Sequence, residues 1–302
     1  MSSNSNRKKK GLPKNEKSNT NKVGVFNKFN GLSKNKTFLG IVTVLVAFVL
    51  IAVVLDFSGL VGNVSFISNG SSSNNSNSSL PTYIPAGQFV NISSGNIGPK
   101  NQVNIYVMSW RGCPIGASES WFWYLYINQT YHNRPGYILN SSYGHVSSSE
   151  DAFYPVPGLL FKNFTFNNSN NVKVNFHIDY VYPQYLPGAH NQVLVDAGIS
   201  TLQSTAPPNF PPAAINDFIN YQTNVPTDAN KTTTEPLANF AGHLTTCIII
   251  SGNHGTYFLE GALFSPGILT NQTTSYMLDY SASYQNIIYN EHLISNVINT
   301  VA

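Results

Sequence analysis

Residues Asn104 to Tyr131 read NIYVMSWRGCPIGASESWFWYLYINQTY, and the rest of the chain is organised around them. The stretch opens as a strand over 103–110, apolar, with β-branched and aromatic residues. It turns through Arg111 and Gly112, reaches Cys113 and Pro114, and continues as an aromatic-rich helix over 114–131. Proline suits the first helical position, because its missing N–H would be unpaired there anyway. Cys113 therefore falls at the N-cap, with its sulfur over the open N–H groups of the first turn. The helix dipole and those donors favour a thiolate, so the sequence predicts a lowered thiol pKa. Gly116 stands three positions on, where a second cysteine would make a C-x-x-C pair.

Downstream, alternation predicts a strand over 172–181, with Val172, Val174, Phe176, Ile178 and Tyr180 on one face. A loop carrying Pro183 and Pro187 follows, then PPNFPP (207–212) and a short helix over 213–221. Residues 244–251 and 256–264 read as a hairpin around a Gly252–Gly255 turn. Residues 281–301 close the chain as an amphipathic helix with Ile287, Ile288, Leu293, Val297 and Ile298 on its apolar side. Residues 88–92 form a short leading strand. Residues 133–170, rich in Gly, Pro, Ser and Asn, remain unassigned.

Upstream, charge is unevenly distributed. Ten of the 16 Lys and Arg residues lie in the first 36 positions, against the single acid Glu16. From Asp56 onward six bases face twelve acids. Behind the basic tail (1–37), Phe38–Leu55 is 18 residues without a charge. As a helix it spans about 27 Å, the length of a membrane crossing. A cleaved signal peptide has a shorter apolar region nearer the N-terminus. The expectation is an uncleaved transmembrane helix (38–57) with a cytoplasmic N-terminus and an extracytoplasmic body. A basic tail is also the composition of a nucleic-acid-binding arm, but the apolar run behind it accounts for it. The mildly acidic body offers no phosphate groove, so nucleic acid is not an expected partner. Residues 58–80, including SNGSSSNNSNSS, form a low-complexity tether with nothing to bury. The folded domain is expected over 81–302. Asn-x-Ser/Thr occurs at Asn63, Asn69, Asn74, Asn77, Asn91, Asn128, Asn140, Asn163, Asn167, Asn230 and Asn271. On an exported surface these are potential N-glycan acceptors.

The element order β-α-β-α-β-β-α, with Cys-Pro opening the first helix, is that of a thioredoxin-like α/β fold: a mixed sheet with flanking helices, here preceded by one transmembrane helix. The chain resembles the archaeal membrane-anchored family called domain of unknown function 929. The resemblance is carried by Trp110-Arg111-Gly112-Cys113-Pro114, by Trp121 in the helix, and by the late segment EGALFSPGIL (260–269). It implies a thioredoxin-like core behind one N-terminal anchor, without a settled activity. Relatives with C-x-x-C would exchange disulfides, whereas Gly116 removes the resolving thiol here. Thioredoxin-like folds also commonly place a cis-proline before the third core strand; His243-Leu244-Thr245-Thr246 stands there.

Other chemistry is sparse. Seven scattered histidines show no metal-ligand spacing, and neither metal nor cofactor is expected. His177 and Asp179 share a strand face, read as a polar surface. Trp121 and Tyr124 share the core side of the aromatic helix; Phe122 and Tyr126 form a second stripe, a candidate binding surface. In a thioredoxin topology the third core strand runs antiparallel to the first, which brings Cys247 toward Cys113. Bonded, the two are a structural staple; reduced, Cys247 is a candidate resolving thiol. Two functions stay open. One is a redox-degenerate domain for binding a protein partner or for building the cell envelope. The other is disulfide exchange through the single thiol of Cys113.

Overall fold

Val103–Ser109, the first strand of the organising stretch, is buried along its whole length and lies at the centre of a six-stranded sheet. The protein is described by a computed structural model covering residues 81–130, 135–139, 145–150, 152–228 and 234–302. The basic tail, the apolar run, the tether and the sequons at Asn63, Asn69, Asn74, Asn77, Asn140 and Asn230 lie outside the described residues. Among the described residues no helix is long and apolar enough to cross a membrane.

The strands are β1 (Val90–Ser93), β2 (Val103–Ser109), β3 (Phe164–Asn167), β4 (Lys173–Tyr180), β5 (Cys247–Gly252) and β6 (Gly255–Glu260). Their order across the sheet is β1-β6-β5-β2-β4-β3. β2 runs parallel to β4, and every other neighbouring pair is antiparallel. The helices are α1 (Pro114–Thr130), α2 (Gln192–Thr205), α3 (Pro212–Thr223), α4 (Leu237–Ala241), α5 (Thr274–Tyr280) and α6 (Gln285–Val301). The fold is mixed α/β, with helices on both sheet faces.

Strand alternation divides the interior into two layers. Val103, Ile105, Val107, Ile248 and Ile250 pack with α1 and α6. Tyr106, Met108, Cys247, Ile249 and Phe258 pack with α2 and α3. A parallel pair flanked by helices is buried on both faces, and β2 is buried at every position, with Asn104 and Ser109 its polar residues. α6 buries Ile287, Ile294, Val297, Ile298 and Val301, the stripe its periodicity predicts; Ile288 and Leu293 pack at the margin.

The sequence reading lacks α2, β3, α4 and α5. α2 occupies a stretch expected to be loop. Its signal is Asn191, whose side-chain oxygen accepts the Val193 N–H at 3.0 Å as an N-cap. β3 lies in the unassigned insertion, where Phe164–Asn167 pairs antiparallel with Lys173–Phe176 of β4. The closing helix starts at Gln285, preceded by α5, which Thr273 caps by accepting the Tyr276 N–H. Residues 157–159 also cover α1. Trp121 Nε1 donates to the Pro157 carbonyl at 2.7 Å, and the Ser120 hydroxyl accepts the Leu159 N–H at 2.9 Å.

Candidate functional site

The junction between β2 and α1 is held by backbone first. The Arg111 N–H donates to the Tyr182 carbonyl at 3.2 Å, and the Cys113 N–H to the Trp110 carbonyl at 3.1 Å. Gly112 is glycine for want of room: a Cβ there would lie 2.0 Å from the Gln184 carbonyl oxygen. The Cys113 carbonyl accepts the Ala117 N–H at 2.9 Å, which makes Cys113 the N-cap and Pro114 the first helical residue, as the sequence predicts.

The sulfur is buried, and a hydroxyl stands against it. Thr246 donates to Cys113 Sγ at 3.0 Å, and the Ser109 and Thr246 hydroxyls are 2.7 Å apart. With Thr246 donating to sulfur, Ser109 supplies the proton between the two oxygens, so a chain Ser109–Thr246–Cys113 runs beneath the first turn of α1. Gly116 lies over it. A Cβ on Gly116 would come within 2.5 Å of Ser109 Oγ and 3.0 Å of Thr246 Oγ1. The space beneath Gly116 is therefore filled by two hydroxyls, that of Ser109 at the end of β2 and that of Thr246 just before β5.

Cys247 is one position further along. It pairs in register with Met108 on β2 and with Glu260 on β6. The antiparallel arrangement expected of β5 and β2 is present, but the side chain facing the Cys113 sulfur is that of Thr246. Thr246 shares the strand face of Ile248 and Ile250, whereas Cys247 goes with Ile249 on the other. Both cysteines are thiols and both are buried. Burial pushes the Cys247 thiol well up, and Glu260, Glu119 and Cys113 add to the shift. A buried, protonated thiol is a poor nucleophile.

Two buried carboxyls flank the thiols. Burial raises Glu260 to about 8, against the opposing hydrogen bond of Gln222, which donates to its Oε2 at 3.1 Å. Burial also raises Glu119 well above the usual carboxylate range, partly offset by the Leu263 N–H. Glu119 helps wall a small cavity of about 20 Å3 that is partly open to solvent, with Ser109, Gly116, Trp123, Tyr180 and Thr246 among its other walls. Arg111 stands at this pocket with its guanidinium carbon 5.9 Å from the Tyr180 ring centroid. His145, also lining it, is held below its ordinary pKa mainly by burial.

The chain matches the family described as "Domain of unknown function (DUF929)" over residues 88–300. It belongs to that family. The matched span of this DUF929 protein begins before β1 and ends one residue short of the end of α6, so it contains the whole β2–α1 junction. No curated protein and no solved structure matches the chain.

The other expected site residues fall as follows. Trp110 is buried in the layer shared with α2 and α3, edge-on to His243 at 5.8 Å between ring centroids. Phe122 and Tyr126 correct the sequence reading: both are buried, so they offer no surface. Trp123 lies against Phe176, and Tyr126 against Phe166 of the unassigned insertion. His177 stacks on Tyr106 with ring centroids 5.4 Å apart, and Asp179 accepts the Thr205 hydroxyl at 2.7 Å. Among the described residues no three His, Cys, Asp or Glu side chains form a group able to hold a metal. Ser109, Thr246, Glu119 and Glu260 were missed by sequence reasoning. The alternation Thr246, Ile248, Ile250 was the available signal that Thr246 faces α1.

Proposed function

We propose that this DUF929 protein is a membrane-anchored, extracytoplasmic thioredoxin-like domain of an archaeal cell envelope, one that has lost dithiol chemistry and serves in binding. The strand order β4-β2-β5-β6, with β2 and β4 parallel and helices on both faces, supports the thioredoxin-like reading. The observation that carries the functional part is the Thr246 hydroxyl seated on the Cys113 sulfur, with Gly116 lacking room for a side chain. A dithiol cycle needs a second thiol that can reach the mixed disulfide. Here two hydroxyls occupy that position, and Cys247, in the same buried layer as Cys113, is held protonated by burial. The 18-residue apolar run and the basic tail support the anchor and its orientation. On such a surface the exposed Asn163, Asn167 and Asn271 are the glycan acceptors. Asn128, whose amide oxygen accepts the Tyr137 hydroxyl at 2.5 Å, is shielded.

A second reading rests on the same contact. A hydroxyl donor and a helix N-terminus both stabilise a thiolate, and a thiolate at Cys113 would exchange with a partner's disulfide by itself. Alkylation of the full-length protein by iodoacetamide, followed across pH by mass spectrometry, separates the two. The binding reading expects Cys113 to react only after denaturation. Rapid native labelling at neutral pH would favour the single-thiol reading.

A further inference from the structure

The sequence places an aromatic platform on α1, where burial removes it. The exposed aromatic surface lies instead on α5 and the turn into α6. Tyr276 and Tyr280 stand one helical turn apart, 41% and 50% exposed, with ring centroids 4.6 Å apart and planes 25° from parallel. Tyr284, four positions on, lies beside Tyr276; burial first, and then this neighbour, raises its pKa. The platform is held from beneath. Met277, about a quarter-turn round α5 from the rings, is fully buried, the Tyr124 hydroxyl donates to the Leu278 carbonyl at 3.4 Å, and Ser281 is buried where the chain turns. Rings held this way lose little conformational freedom when a ligand binds.

The surroundings narrow the ligand. Neither α5, α6 nor the turn between them carries a Lys or Arg, so nothing there attracts phosphate or an anionic surface. Asp279, Gln285 and Asn286 are exposed around the rings and supply acceptors and amide donors. Two half-exposed tyrosines and part of a third present on the order of 300 Å2. That is well below the roughly 800 Å2 per partner of a stable protein interface. A small flat patch of stacked phenols rimmed by amides and one carboxylate matches a ligand with an apolar face and a ring of hydroxyls. We propose that Tyr276, Tyr280 and Tyr284 form a binding site for a neutral carbohydrate chain, whose sugar C–H faces stack on the phenol rings while its hydroxyls reach Asp279, Gln285 and Asn286. This proposal is independent of the state of Cys113.

The test uses the full-length protein in a detergent without a sugar headgroup. Maltohexaose, cellohexaose, chitohexaose and mannohexaose are titrated by calorimetry and saturation-transfer NMR. At least one binds, and Tyr276→Ala and Tyr280→Ala each weaken it about tenfold, while Tyr280→Trp retains it. Both substituted positions are on the surface, and an unchanged melting temperature establishes that the variants fold. The proposal is overturned if none of the four probes binds, or if binding is indifferent to both alanine variants. It is equally overturned if the wild type self-associates and the same variants abolish that association, which would make the patch a contact between copies.

Discussion

Gly116→Ala isolates the packing beneath the first turn of α1. In an exposed helix interior this substitution would gain up to about 1 kcal/mol, less in the first turn. Here the new Cβ meets Ser109 Oγ at 2.5 Å and Thr246 Oγ1 at 3.0 Å. Ser109 can swing aside, but it then breaks the 2.7 Å contact with Thr246 and leaves a buried hydroxyl short of a partner, a cost of about 1–3 kcal/mol. The alternative, displacing α1, costs about the same as overpacking elsewhere. The clash outweighs the helical gain, and the expected net loss is about 1–2 kcal/mol. All three tryptophans of the chain lie between residues 110 and 123, so urea denaturation followed by tryptophan fluorescence reports on this region. Gly116→Ala should lower the urea midpoint, and Ser109→Gly on top of it should recover much of the loss, a non-additivity expected of touching residues. Gly116→Cys should behave like Gly116→Ala. A neutral Gly116→Ala with no rescue by Ser109→Gly would refute the packing argument.

Three further outcomes follow from the interior. Glu260 has its pKa raised to about 8 in the folded state, above its unfolded value near 4.3. Its stabilising contribution is therefore complete below about pH 4 and is lost as pH rises through about 8. Stability should fall between pH 5 and 8, and Glu260→Gln, measured by urea denaturation at both ends, should flatten that slope. Tyr182 accepts the Leu244 N–H at 3.2 Å and donates to the Leu194 carbonyl at 2.8 Å, both contacts buried. Tyr182→Phe should cost about 2–4 kcal/mol by leaving both groups unpaired, read as a lowered thermal midpoint. Trp121 is fully buried and bonded to Pro157, and Trp121→Ala should cost about 3–5 kcal/mol in the same assay.

The β2–α1 junction was legible because local signals agree there: an apolar strand, a turn, and Cys-Pro at a helix start. The closing helix was legible from its period. α2 was hidden by Pro183 and Pro187, which drew the loop assignment across its capped start at Asn191. Phe122 and Tyr126 were misjudged because their cover comes from elsewhere in the chain. Tyr126 lies against Phe166, 40 positions away in a segment whose composition reads as loop. The Ser109–Thr246–Cys113 chain was illegible for the same reason, since Ser109 and Thr246 are brought together only by the pairing of β2 with β5. That pairing was expected, but which of Thr246 and Cys247 faces Cys113 depends on a one-residue register.

The central claim is that hydroxyls have replaced the second thiol at this site. It is tested most directly by catalytic disulfide reduction. The full-length protein, supplied with dithiothreitol and an insulin substrate, should give turnover no faster than dithiothreitol alone, and Cys113→Ser should not change that rate. Turnover well above the dithiothreitol background that disappears in Cys113→Ser would contradict the account.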